Sequence, residues 1–357
     1  MIQLYILFAI LIFGFLIFIH ELGHFLAAKA SHVQVNEFSI CMGPKLLQKQ
    51  IGETKYTLRL LPIGGYCAME GEDEECDNPR AFSSAPWWKR LVILVSGSFM
   101  NFLTGFVVMA LLLGLTSTAF RTPVVTGFMD GCTLNGEGGL MEGDEFYSIN
   151  GSRVYLFSDF SMLTSRQSGT TYDLVVIRDG EKVALNDFEM EKHEFTDENG
   201  NTQLLYGMNF ADTEPANFGT VMKNAWYNCL DFTRMVWYGL SDLVTGAVGV
   251  KDMSGPVGIV SVISETGKEA ETTSEGVENV LYLGAFIAVN LAVMNLLPIP
   301  ALDGGRVFFL LVNTLFTAIT KKKINPKYEG YVHGAGMVLL LGFMAFITVK
   351  DILQLVG

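Results

Sequence analysis

The sequence predicts an α-helical multi-pass membrane protein, with about four spans, the third one broken, and an inserted β-rich domain. Three observations predict it. Four stretches lack Asp, Glu, Lys and Arg for long enough to cross a bilayer: residues 1–19, 91–115, 280–301 and 331–349. A polar region of about 160 residues separates the second stretch from the third. The third carries Pro298 and Pro300, which a continuous helix cannot accommodate.

Charge sets the orientation. Residues 25–90 carry 8 Lys/Arg and residues 301–331 carry 5. The insertion carries 10 Lys/Arg against 25 Asp/Glu, a local net of −15 beside −13 for the whole chain. By the positive-inside rule the two basic segments are cytoplasmic, and the insertion and both termini are extracytoplasmic. An acidic surface excludes nucleic acid as a partner and disfavours anionic headgroups. The lipid the protein meets is the bilayer around its spans.

The first segment, residues 1–30, holds His20-Glu21-Leu22-Gly23-His24 at the end of its apolar run. On a helix, positions 20 and 24 share a face, so both imidazoles can reach one metal ion. Glu21 stands beside them, placed to act on a water. Ionisable groups at membrane depth are costly and usually functional. A secretory signal is excluded, although Ala28-Lys29-Ala30 resembles a cleavage site, because a basic n-region is missing and the apolar run is too long. An inert span whose polar residues only pack is the other reading of this motif.

Residues 31–90 form a cytoplasmic segment. Lys55-Tyr56-Thr57-Leu58-Arg59-Leu60-Leu61 alternates polar with apolar residues, and Pro62-Ile63-Gly64-Gly65-Tyr66 turns it. This is either a small hairpin or an edge strand that pairs with an extended substrate through residues such as Arg59, Gly64 and Gly65. The acidic run at residues 70–75 is a solvated loop. The second span, residues 91–116, contains Ser96, Gly97, Ser98 and Asn101, small or polar residues that suit close helix packing or line a polar site.

The insertion proper, residues 121–212, contains Asn150-Gly151 after one strand pattern and Asp179-Gly180 after another, both hairpin signals. With Gly139-Leu140-Met141-Glu142-Gly143-Asp144 ahead of the first, it resembles a PDZ domain, a module that captures peptides by strand addition. Residues 213–278 supply an amphipathic outer helix, interrupted by Lys223, Asp231, Arg234 and Asp242, and a connector. Cys132 and Cys229 are extracytoplasmic and able to pair, whereas Cys41, Cys67 and Cys76 face a reducing compartment.

The broken span occupies residues 279–320 and a fourth span residues 329–357. Asn290 and Asn295 lead into Leu296-Leu297-Pro298-Ile299-Pro300-Ala301-Leu302-Asp303-Gly304-Gly305. Broken backbone at membrane depth survives only where protein or a polar cavity covers it. Asp303 then reads either as the N-cap of the next helix or as a third metal ligand, with His333 as the rival ligand.

The H-E-x-x-H, the P-x-P-x-L-D-G and the PDZ-like insertion, in that order, resemble the site-2 protease family. The likeness is to its bacterial regulator-of-sigma-E type with one PDZ domain, and it covers nearly the whole chain. It implies an inner-membrane zinc metalloendopeptidase that cuts single-spanning proteins, anti-sigma-factor-like or signal-peptide remnants, after an upstream extracytoplasmic protease. By that resemblance His20, His24 and Asp303 bind Zn²⁺ on the cytoplasmic side and Glu21 is the general base. Asn290, Asn295, Pro298 and Pro300 handle substrate together with the membrane-associated β-loop around Arg59, Gly64 and Gly65. Gly97-Ser98 stands where relatives often have Gly-Pro, and residues 39–44 lack the usual Gly-Phe-Gly, departures that bear on specificity. A silent PDZ-bearing scaffold and a zinc transporter are the alternatives, and zinc-dependent cleavage separates both from a protease.

Overall fold

The computed structural model describes residues 2–72, 76–136, 138–196, 202–249, 253, 255–269, 272–322 and 326–356. Part of the acidic run, residues 73–75, lies outside them. The chain forms two compact units, Met1–Met109 with Phe232–Gly357, and Ala110–Asp231.

The first unit begins with α1 (Ile2–Ala30), followed by β1 (Val35–Ile51), β2 (Thr54–Met69) and α2 (Trp87–Thr116). β1 and β2 are long strands that fold on themselves. Residues 37–40 pair with residues 65–68 on one side and with residues 55–58 on the other, while residues 55–58 also pair with residues 47–50. The hairpin expected around residues 55–66 is thus a small sheet. The row at residues 65–68 is one of its edges, with no second strand partner among the described residues.

The second unit holds β3 (Ala119–Arg121), β4 (Gly127–Phe128), β5 (Glu145–Ile149), β6 (Ser152–Arg153), α3 (Phe157–Ser165), β7 (Thr171–Arg178), β8 (Glu181–Glu189), β9 (His193–Thr196), β10 (Thr202–Leu205), β11 (Met208–Asn209) and β12 (Thr213–Pro215). Its main sheet has the order β6-β5-β7-β8, all antiparallel. Asn150 and Gly151 turn β5 into β6 with φ of 48° and 75°, and Asp179 and Gly180 turn β7 into β8 with φ of 52° and 84°. Both are the left-handed pairs that a two-residue hairpin requires. Phe146, Leu174 and Val176 alternate inward and are fully buried. Asp144, also fully buried, is held by the Arg178 guanidinium at 2.7 Å from each carboxylate oxygen. Cys132 and Cys229 are free thiols, so the pairing open to them from the sequence is not made.

The remaining elements are α4 (Phe218–Thr245), α5 (Pro256–Glu269), α6 (Thr273–Asn295), α7 (Asp303–Thr320) and α8 (Pro326–Val356). α4 matches the amphipathic stretch read from the sequence. α5 lies in what reads as a connector, yet Ile259 and Val260 pack on a core of Ala9 and Leu16 from α1 and Val280, Ile287 and Ala288 from α6. Its first turn is capped by Asp351 of α8, whose carboxylate accepts the Gly255 and Gly258 N–H groups at 2.9 and 2.8 Å. Among the described residues, four helical stretches are long and apolar enough to cross a membrane: Leu7–Ala30, Trp87–Thr116, Ser274–Asn295 and Lys327–Leu353. The chain is a multi-pass membrane protein with an inserted β-rich domain.

The break expected in the third span is present. α6 ends at Asn295, because Leu297 precedes a proline and is driven out of helical conformation. α7 restarts at Asp303 with Leu302 at the N-cap, so Asp303 is the first helical residue and not the cap.

Candidate active site

α1 and α2 cross where both are stripped of side chains. A β-carbon on Gly23 would stand 2.4 Å from the Ser96 carbonyl oxygen, and one on Gly97 would stand 2.4 Å from His24 Nε2. The crossing therefore brings the α2 backbone directly against the two histidines of α1. His24 Nδ1 donates to the Ile93 carbonyl of α2 at 2.8 Å, which puts its proton on Nδ1 and leaves Nε2 as a lone-pair donor.

Asn101, one turn beyond Gly97, lies beside His20 with Nδ2 3.4 Å from Nδ1, and its own Oδ1 is buried without a partner. A half-turn of the amide places Oδ1 on the His20 Nδ1–H, satisfying the buried oxygen and freeing His20 Nε2 as well. Both ring orientations are thus held from α2.

Asp303 enters from the opposite side. Its Oδ2 is 2.9 Å from His20 Nε2 and 3.2 Å from His24 Nε2, and the two Nε2 atoms are 3.2 Å apart. Ligand atoms in a tetrahedral zinc site stand about 3.3 Å from one another, given bonds of about 2.0–2.1 Å. Two imidazole nitrogens and one carboxylate oxygen at this spacing suit such an ion with a fourth position open. Among the described residues this trio is the one group of His, Cys, Asp and Glu with donors close enough to share a metal. His333 stands outside it, its Nδ1 accepting the Ala301 N–H at 3.1 Å.

Glu21 lies on the side of α1 that meets the sheet. A β-carbon on Gly65 would be 3.2 Å from Glu21 Cγ, and the Cys67 backbone amide faces the Glu21 carboxylate. The free edge of the sheet therefore runs past Glu21, and Gly65 is the residue that lets it approach. Gly64 has a φ of 83° and packs against Met42.

Arg59 does not stand free at that edge. Its guanidinium donates to Ser39 Oγ, the Gly43 carbonyl, Glu37 Oε1 and the Tyr66 hydroxyl, so it joins the rows of the sheet from within. These internal partners neutralise its charge. Burial raises the pKa of Glu37, but the hydrogen bonds from Tyr66, Thr57 and Arg59 outweigh it and hold the carboxyl at about 2. Asn290 Nδ2 donates to the Phe286 carbonyl one turn back, and Asn295 is half-buried at the end of α6. Pro298 is exposed and Pro300 half-buried in the break between α6 and α7. A family model, peptidase family M50, matches residues 8–343.

The chain belongs to peptidase family M50.

This is the site-2 protease family, and the match spans both the H-E-x-x-H and the broken span. Relatives agree along nearly the whole chain. A Clostridium perfringens protein named "Putative zinc metalloprotease" is 34% identical over 352 residues, 98% of this chain and 99% of that protein. A Clostridium acetobutylicum protein of the same description is 37% identical over 354 residues, 97% of each chain. The regulator of sigma-W protease RasP of Bacillus subtilis is 29% identical over 430 aligned positions, 97% of each chain. Gly97 and Asn101, read from the sequence as suited to close helix packing or to lining a polar site, lie against the two histidines, and Gly23 is the residue beside them that sequence reasoning passed over.

Proposed function

We propose that this M50 peptidase is a zinc-dependent endopeptidase that cuts single-spanning proteins within the membrane. The convergence of His20, His24 and Asp303, with Glu21 beside them, is the observation that carries the reading. His20 and His24 hold the ion through Nε2, each ring oriented by its Nδ1 partner, and Asp303 closes the ligand set. Zinc, when bound, supplies Lewis acidity, lowering the pKa of a water to about 7 and polarising a carbonyl.

Glu21 takes the proton of the attacking water and returns it to the leaving amine. A substrate helix hides its carbonyls in internal hydrogen bonds, and unpaired peptide groups in lipid cost several kcal/mol each. The sheet edge at residues 65–68 offers replacement partners as the substrate unwinds, and its place beside Glu21 supports that role. Asn290, Asn295, Pro298 and Pro300 border the polar break and receive the unwound segment.

The β-rich unit is a PDZ-like domain in this reading. It lies with both termini on the extracytoplasmic side of a bacterial inner membrane, while the site opens towards the cytoplasm. The sigma-W name of the Bacillus subtilis relative supports substrates of the anti-sigma-factor kind, trimmed first by an upstream extracytoplasmic protease. The test is cleavage of a spanning peptide by the purified full chain. Cleavage should need zinc, and Asp303→Ala should lose metal. Zinc binding without cleavage would favour transport or a silent scaffold.

A further inference from the structure

We infer that His333 of α8 is a positioning residue for the candidate metal centre, holding the turn that aims Asp303 at His20 and His24. The inference rests on reading that trio as a zinc site. Its basis is the strain two residues ahead of Asp303. Ala301 has a φ of 81°, a left-handed conformation that a residue with a β-carbon resists. Such a conformation persists only where its surroundings over-determine it.

The turn supplies part of that constraint. Ile299 N–H donates to the Leu297 carbonyl and Leu302 N–H to the Ile299 carbonyl, while Pro298 and Pro300 have no N–H to give. The Ala301 N–H points out of the turn to His333 Nδ1 at 3.1 Å, which makes the histidine an acceptor with its proton on Nε2. The same stretch of α8 is pressed onto the turn. A β-carbon on Gly336 would stand 2.4 Å from Pro300 Cβ, and one on Gly305 would stand 3.1 Å from His333 Cε1. The Phe309 ring of α7 packs on the imidazole with centroids 5.5 Å apart. The fourth span therefore grips the turn by one hydrogen bond and one close backbone approach. A rotation at Ala301 would swing the Asp303 carboxylate away from the two Nε2 atoms. His333, the rival ligand by sequence, acts here through the main chain of the ligand-bearing turn.

Zinc affinity of the full chain in detergent, measured by chelator competition, tests this. His333→Leu should weaken zinc binding by about tenfold or more, the usual scale for loss of a group that orients a ligand. His333→Asn can set an acceptor near the position of Nδ1 and should bind close to native. Ala301→Gly in the His333→Leu background should recover most of the loss, because glycine takes a positive φ without strain. Native affinity in His333→Leu would overturn the inference. So would a loss that neither His333→Asn nor Ala301→Gly relieves, which would make His333 a ligand or a packing residue. A native chain that binds no zinc would overturn the metal reading itself, and the variants would then show no differences to compare.

Discussion

Gly97 of α2 lies so close to His24 of α1 that a β-carbon there would stand 2.4 Å from Nε2, and 2.8 Å from Cε1 of His20 and of His24. The donor atoms of the site are thus covered on one side by bare backbone. No side chain fits between α2 and the position a metal would take.

Gly97→Ala should therefore displace one or both imidazoles. Overpacking costs about 1–3 kcal/mol, so metal affinity should fall roughly tenfold or more. Metal content of the purified variant, with helix content by circular dichroism as a control, checks this. Full metal content would mean that α2 can retreat without disturbing the histidines.

Glu21→Gln should keep its metal and lose hydrolysis. It touches none of the three donor atoms but removes the base, a change worth about 10²–10⁴ in rate. Single-turnover cleavage measured together with metal content separates the two effects. Retained cleavage would remove Glu21 from the mechanism.

Asn101→Leu should weaken metal binding by about 10–100-fold, because His20 Nδ1 loses the partner that orients the ring. Asn101→Asp keeps an oxygen in place and should stay nearer native. Equal losses in both variants would assign Asn101 to helix packing instead.

The Glu37 carboxyl, held at about 2 against an ordinary value near 4.5, should make the sheet acid-sensitive. Because its pKa is depressed on folding, the stabilisation is fully present above about pH 4.5 and is lost as pH falls towards 2. Hydrogen exchange at Thr57 and Tyr66 should accelerate across that window beyond its intrinsic pH dependence. In Glu37→Gln the extra acceleration should disappear. An unchanged acid response in the variant would place the sensitivity elsewhere.

Much was legible in the sequence because it follows from local chemistry. Charge-free runs specify helices that can cross a membrane, and Asn150-Gly151 and Asp179-Gly180 specify hairpins through the φ they tolerate. Pro298 and Pro300 forbid a continuous helix, and the 20/24 spacing puts two imidazoles on one face whatever surrounds them. Each of these depends on the covalent geometry of a few neighbouring residues.

Partners distant along the chain were decided only by the tertiary structure. The sequence left Asp303 between a helix cap and a ligand, and left His333 as its rival; the fold brings Asp303 to the histidines and turns His333 onto Ala301. Arg59 looked available in a strand pattern and is consumed by Glu37, Tyr66, Ser39 and Gly43, which lie elsewhere in the same sheet. α5 falls in a stretch that reads as a connector, yet it packs on α1 and α6 and is capped by Asp351 from near the far end of the chain. Gly23 gives no signal of its own and Gly97 only that of a small residue suited to close packing, since an absent side chain acquires its full meaning only when another backbone fills the space. Hydrogen bonds and close approaches of this kind depend on which surfaces meet, and that is a property of the packed chain rather than of any one stretch of it.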